Sequence, residues 1–396
     1  MSHLPLRANL EWLKKTCKDR LAAMRAGNPN AKLSEAQLAL AREYGFPSWR
    51  KLKAHVEQLR DQLAKVPSAD PTEPPAAPDD PDLAQLLSAV DAGNAELVAQ
   101  LLERRPILAR SHGPDGQTAL HLAARYDDNR LAPVLLAFGA DPDAKFGQSG
   151  HTGLSWAVTC NSLAFARTLV QLGVKPDLFC AAGIGSVEHV RALFDESGAL
   201  RPNAVCTGST RYSEDGTRLP CPPQKPSEQI ADALYIASRN GHIDVVRFLL
   251  TKQPDLTFKG YMGGTPLHWA YYAGSRVIID LLQQAGADPS ARDDVHHCTP
   301  RGFGICVPAN WSGYIPPMID KVRARLAEDP SLANLLDGDT SPLHEAANAG
   351  NAEVVRLLLD AGADPTLRNG AGKTPLEIAS ERGHGGVVDV LRKRTS

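Results

Sequence analysis

A seven-residue phrase recurs along this chain, and its spacing constrains the fold more than any other feature. It is clearest at Gly264-Thr265-Pro266-Leu267-His268-Trp269-Ala270. It returns as Thr118-Ala119-Leu120-His121, as Ser341-Pro342-Leu343-His344 and as Thr374-Pro375-Leu376-Glu377. An apolar phrase follows, as in Val246-Arg247-Phe248-Leu249-Leu250 and Val355-Arg356-Leu357-Leu358-Leu359. A Gly-Ala-Asp-Pro phrase closes the unit at Gly139, Gly286 and Gly362. Thr118 to Thr152 is 34 residues, Thr265 to Thr299 is 34, and Ser341 to Thr374 is 33. Asp232, which holds the Thr position in a weaker copy, precedes Thr265 by 33. Self-similarity at this period specifies a solenoid of stacked supersecondary units.

Each part of the unit has a physical task. Thr or Ser caps a first helix, and Pro behind it suits the first helical position. Leu and the small Ala residues form a buried stripe that lets one unit pack closely on the next. Gly241, Gly274, Gly350 and Gly383 are placed to end that helix in the left-handed conformation that glycine adopts cheaply. The Val-Val-x-x-Leu-Leu run is the apolar face of a second, antiparallel helix, and Gly-Ala-Asp-Pro stops it.

These phrases, in shared phase, resemble the ankyrin repeat from about Asp82 to the C-terminus. The resemblance implies an all-α solenoid of about nine repeats joined by hairpin loops, with a concave groove that binds protein partners. It also assigns the recurring His121, His268 and His344 a structural role near the cap.

Residues 1–66 do not follow the repeat and read as a small helical segment. Leu10 through Gly27 is an amphipathic helix, Ser34 is a plain N-cap for a second helix running to Tyr44, and a third starts at Ser48 or Trp49. The phrase Ala41-Arg42-Glu43-Tyr44-Gly45-Phe46-Pro47-Ser48-Trp49 resembles an N-terminal segment of bacterial ankyrin-repeat proteins, which implies a bacterial source. This segment holds 13 Lys and Arg against 6 Asp and Glu. Such an excess suits nucleic acid or an acidic partner. No base-stacking aromatics interleave the cations, so a solvated helical face is the better reading. Residues 67–81 are a Pro-rich linker, which favours extended backbone, and 82–396 is the repeat domain.

Two irregularities interrupt the array. The run from Gly185 matches that from Gly241 at an offset of 56, which places the fourth cap at Pro176. The finger between repeats three and four is then about nine residues short, and the next connection is 23 too long. The excess, near 197–228, is polar and Pro-rich, and it is expected to fold back over the gap. Repeat seven is also nine residues too long. Its excess falls near 309–317 and includes Trp311, Tyr314, Pro316 and Pro317.

The residues just before the helix-ending glycine point into the groove of such a repeat. They nominate Arg125, Tyr126, Arg239, Asn240, Tyr272 and Asn348. Trp269 belongs to a bulky stripe with Leu122, Trp156, Ile236 and Phe303 that reads first as core. Tyr271 replaces a small residue. Trp269, Tyr271, Tyr272 and Arg239 cluster in sequence, and aromatic and Arg anchors dominate interface hot spots. His296-His297-Cys298 with Cys306 lacks zinc-ligand spacing, so no metal and no cofactor is expected. No nucleophile elbow, phosphate-binding Gly loop or paired carboxylate motif is present.

The expected function is a non-enzymatic protein–protein interaction scaffold, monomeric and cytoplasmic, with no catalytic residues. Seven cysteines without paired spacing fit a reducing compartment, and no apolar run is long enough to span a membrane. The alternatives are a ligand- or metal-binding protein, enzymatic in the extreme, using the 197–228 insertion and repeat seven, or nucleic-acid binding by the basic N-terminal helices.

Overall fold

A computed structural model describes residues 10–43, 46–54, 57, 73–213, 216–310 and 319–395. Of the excess expected at 309–317, residues 311–317 lie outside the described residues. Among the described residues, regular structure is helical, and pairing outside helices is confined to isolated bridges. No described helix is long and apolar enough to cross a membrane. The chain forms two compact units, Met1–Pro176 and Asp177–Ser396.

The first unit begins with helices Leu10–Gly27 and Leu33–Glu43. They bury Leu13, Cys17, Ala36, Leu40 and Ala41 together with Leu52, and Phe46 and Trp49 pack against this cluster. Phe46 and Trp49 of the 41–49 phrase thus serve the packing of this segment. The second helix is not capped by Ser34, which lies inside it. Instead Glu35 reaches back, its carboxylate accepting the Lys32 N–H at 2.9 Å. Ser48 has the capping role on the next helix, accepting the Lys51 N–H.

Repeats one to three complete this unit. Their inner helices are Pro81–Asp91, Ala119–Arg125 and Gly153–Thr159, and their outer helices are Ala95–Arg104, Leu131–Ala137 and Leu163–Gln171. Inner stacks on inner and outer on outer. Asp80 caps repeat one and also pairs with Arg105 at 2.7 Å. The end of the Pro-rich stretch is tied down here: the Ala76 N–H donates to Ser111 Oγ at 2.9 Å, and that hydroxyl donates to the Ile107 carbonyl.

Repeats four to nine form the second unit. Their inner helices are Leu178–Gly183, Pro226–Arg239, Pro266–Ala273, Pro300–Asn310, Pro342–Asn348 and Pro375–Glu381. The outer helices are Val187–Ala192, Ile243–Leu250, Arg276–Gln284, Ile319–Glu328, Ala352–Asp360 and Gly385–Thr395. Each inner helix packs on the next. Gly241, Gly274, Gly350 and Gly383 all have φ between 72° and 82°, the left-handed stop that their spacing implies.

Two cap positions differ from the sequence reading. The fourth cap is Asp177, not Pro176, and its carboxylate accepts the Cys180 N–H at 2.8 Å. Asp232 is not a cap, because the inner helix of repeat five starts earlier, at Pro226. Pro226 supplies the first helical position, and the Pro-rich segment before it lets the helix extend upstream.

Candidate functional site

The histidine repeats show what normally joins one unit to the next. His268 Nδ1 accepts from the Thr265 N–H and hydroxyl at 3.1 and 2.8 Å, and Nε2 donates to the Cys298 carbonyl at 3.2 Å. His121 binds Thr118 and the His151 carbonyl in the same way. His344 links Ser341 to the Lys373 carbonyl. Each imidazole therefore locks a cap to the hairpin tip about 30 residues on. Burial pushes His121 and His268 down to about 4 and lowers His344 as well, so these rings are neutral struts.

Repeats four, five and seven lack this histidine, having Cys180, Tyr235 and Gly302 in its place, and carboxylates take over the joint. One oxygen of Asp177 accepts the Cys206 N–H, the Thr207 N–H and the Thr207 hydroxyl. Asp232 accepts the Ser209 N–H at 2.9 Å and the Ser209 hydroxyl. Segment 204–209 of the insertion thereby runs across the inner helices of repeats four and five. Beyond it, Arg211 stacks on Phe258 at 4.8 Å, and Tyr212 and Arg218 form an antiparallel bridge. In repeat seven, Asp337 accepts from the Thr299 N–H and hydroxyl. A Cβ at Gly302 would sit 2.3 Å from that carboxylate, so the missing side chain makes the seat.

The motif at 296–298 is part of the same scheme. Asp293 accepts the N–H groups of Val295, His296 and Cys298. Burial lowers the basicity of His296, but the Asp293 carboxylate 3.4 Å from its Nδ1 and the charge of Glu345 outweigh it, leaving its pKa raised. The Cys298 and Cys306 thiols lie buried beside each other. Among the described residues, no group of three or more His, Cys, Asp or Glu is arranged to hold a metal ion.

The nominated contact residues divide by environment. In the first unit Tyr126 is 47% exposed, and the half-buried Arg125 lies 5.5 Å from its ring. In the second unit, Arg239, Trp269, Tyr271 and Tyr272 come together as their sequence positions suggest. Trp269, however, is 0% exposed. It packs edge-on against Tyr235, Tyr272 and Phe303 at 5.0–5.4 Å, so it supports the face from beneath and offers no surface of its own. Asn240 holds repeats together, its amide donating to the Gly183 carbonyl at 2.9 Å. Asn348, in repeat eight, is half-buried, and its carbonyl contacts the His384 ring at 3.1 Å.

Cations complete this aromatic group. The Arg239 guanidinium lies over the Trp269 ring at 5.5 Å, and Lys321 Nζ lies over the Tyr272 ring at 3.8 Å. Lys321 Nζ donates to the Tyr272 carbonyl, and Arg325 donates to the Tyr271 carbonyl at 2.8 Å. The outer helix of repeat seven thus satisfies the exposed carbonyl end of the repeat-six inner helix, where cations are favoured. Burial, then the charges of Arg239 and Arg325, lower Lys321 to about 8. Lys321 and Arg325 were not legible in the repeat register, since they follow the irregular stretch of repeat seven. Tyr235 and Tyr261, whose rings lie 5.4 and 6.4 Å from that of Trp269, were equally missed; Tyr235 sits where the cap histidine is expected.

The architecture defines a class: tandem pairs of antiparallel helices, each closed by a left-handed glycine and joined through its cap. Family models for ankyrin repeats match residues 86–180 and 219–293 (three-copy model) and 326–379 (many-copy model), together more than half of the chain. The chain belongs to the ankyrin-repeat family. It is similar to E3 ubiquitin-protein ligase KEG of Arabidopsis thaliana, at 25% identity over 310 residues, 77% of this chain and 18% of that protein. It is similar to palmitoyltransferase ZDHHC17 of Danio rerio, at 28% over 197 residues, 43% of this chain and 32% of that protein. Palmitoyltransferase AKR1 of Lachancea kluyveri is 30% identical over 177 residues, 37% of this chain and 24% of that protein. The chain thus spans less than a third of the length of each of these relatives.

Proposed function

We propose that this chain is a non-enzymatic scaffold that binds a protein partner through the inner-helix ends of its repeats, as a monomer in a bacterial cytoplasm. One observation carries the reading. The inner-helix ends keep large polar and aromatic side chains at the surface: Tyr126 is exposed, and Arg125, Tyr271 and Asn348 are half-buried. Such side chains are enriched in contact anchors and are not needed to close a repeat stack. The relatives support it indirectly. They bear the names of a ubiquitin ligase and of palmitoyltransferases, two different chemistries, yet all resemble this chain, which suits a shared binding module better than a shared active site. The bacterial setting rests on the 41–49 phrase, and the cytoplasmic setting on the unpaired cysteine spacing.

The test is a pull-down from source lysate with the full-length chain, compared with Tyr126→Ala and Tyr271→Ala variants whose melting matches the parent. A discrete protein retained by the parent and lost from a variant is the expected result. Recovery of no protein, with nucleic acid that elutes as salt rises, would move the function to the basic N-terminal helices.

A further inference from the structure

Arg239 is an anomaly in an otherwise well-satisfied stack. It is 6% exposed, and its Nε and Nη1 are buried without a hydrogen-bond partner among the described residues. No carboxylate among the described residues pairs with it. Buried guanidinium nitrogens left unsatisfied are costly, and a leucine or methionine would fill the same volume without that cost. The second cation, Lys321, also has no carboxylate partner among the described residues; it has the Tyr272 ring and carbonyl alone. Arg325, the third, is balanced by Glu328 at 2.9 Å. The cluster therefore holds an excess of two positive charges.

The aromatic residues fix where those charges sit. The Trp269 and Tyr272 rings meet edge-on at 5.1 Å, and each carries one cation, the first Arg239 and the second Lys321. The faces supply the cation–π attraction while leaving Nε and Nη1 of the guanidinium unused. The two cations are close enough to repel, since Arg239 disfavours the charged form of Lys321. An anion placed with both would relieve that repulsion and satisfy the orphaned donors in one step.

We propose that Arg239 and Lys321, held on the Trp269 and Tyr272 rings, form a binding site for a phosphate monoester dianion. The charge count selects the ligand. A carboxylate or a phosphodiester neutralises one of the two positions, whereas a monoester dianion neutralises both. A guanidinium presents paired donors to phosphate oxygens, and an ammonium acts beside it as a point charge. The proposal deepens the scaffold reading, resting on this face as a contact surface, and adds that the partner presents a phosphorylated side chain.

The experiment titrates the full-length chain with inorganic phosphate at constant ionic strength, read by tryptophan fluorescence and by thermal melting. Acetate serves as the monoanion control, and a phosphoserine peptide is compared with its unphosphorylated form. A saturable response to phosphate or to the phosphopeptide, absent with acetate and the plain peptide, is expected. Arg239→Leu and, separately, Lys321→Met should each weaken it by about tenfold or more. Because Arg239 is buried, Lys321→Met guards against a folding artefact. No saturable response, the same response to acetate, or an undiminished response in both variants overturns the site. The lysate pull-down is scored separately: a partner captured by a chain that does not bind phosphate leaves the scaffold standing and removes the phosphate site alone.

Discussion

Asp177 and Thr207 are joined twice, the Thr207 N–H and hydroxyl both donating to one carboxylate oxygen at 2.7 and 2.6 Å. Since Asp177 also caps the repeat-four inner helix through Cys180, one side chain fixes both the helix start and the insertion. Replacing it by Ala leaves four donors without that acceptor: the N–H groups of Cys180, Cys206 and Thr207 and the Thr207 hydroxyl. Asp177→Ala is expected to cost about 3 kcal/mol and to open the insertion to protease. Limited proteolysis with fragment mapping checks this; cutting elsewhere first would remove the link between the carboxylate and the loop.

The cap histidines bring an acid limit. His268 is lowered from 6.5 to about 4 by burial. A depressed pKa means that its contribution to stability is complete above about 6.5 and is lost as pH falls through about 4. Proton titration by NMR should place the His121 and His268 rings near 4 in the native chain. The His268→Gln variant should lose part of the parent's decline in melting temperature over that window.

Asp232 acts in the opposite sense. Burial raises it from 3.8 to about 6, against the lowering effect of the Ser209 hydrogen bonds. With the folded value raised, its contribution is complete below about 3.8 and is lost as pH rises through about 6. Asp232→Asn keeps an acceptor for the Ser209 N–H and removes the buried charge. The expected outcome is a flatter stability profile between pH 4 and pH 7, read by thermal melts across buffers.

Gly264 marks the tightest approach to the aromatic group. A Cβ there would lie 2.7 Å from Trp269 Nε1 and 3.3 Å from the Phe303 ring. Its φ of −78° is open to any residue, so the cost of Gly264→Ala is steric alone, about 1–3 kcal/mol. Tryptophan fluorescence should shift with it, because Trp269 must move. Unchanged emission and melting would show that the ring has slack that the packing does not suggest.

The repeats were legible because their signals are local. Caps at Thr118, Thr265, Ser341 and Thr374, and stops at Gly241 and Gly274, act within one turn of their own residue. The joints at repeats four, five and seven were not, because Asp177, Asp232 and Asp337 find partners 23 to 38 residues away. Nothing in their neighbourhood distinguishes them from other aspartates. For the contact residues, position predicted proximity but not depth. Arg239 and Tyr272 share one cluster as their register implies, while Lys321 and Arg325, which meet the carbonyls of that helix end, come from a helix whose place in the repeat spacing is shifted.

The carboxylate of Asp232 and the imidazole of His268 give the joints of repeats five and six opposite protonation habits. Asp232 ties repeat five to the insertion, and His268 ties repeat six to the hairpin tip that follows; a proton released from the first loosens its seam over much the same range in which a proton lost from the second tightens its own. Acidification and alkalinisation therefore do not weaken the stack evenly. Each selects a different line along which the helix pairs first come apart, so pH decides where the array opens as well as whether it does.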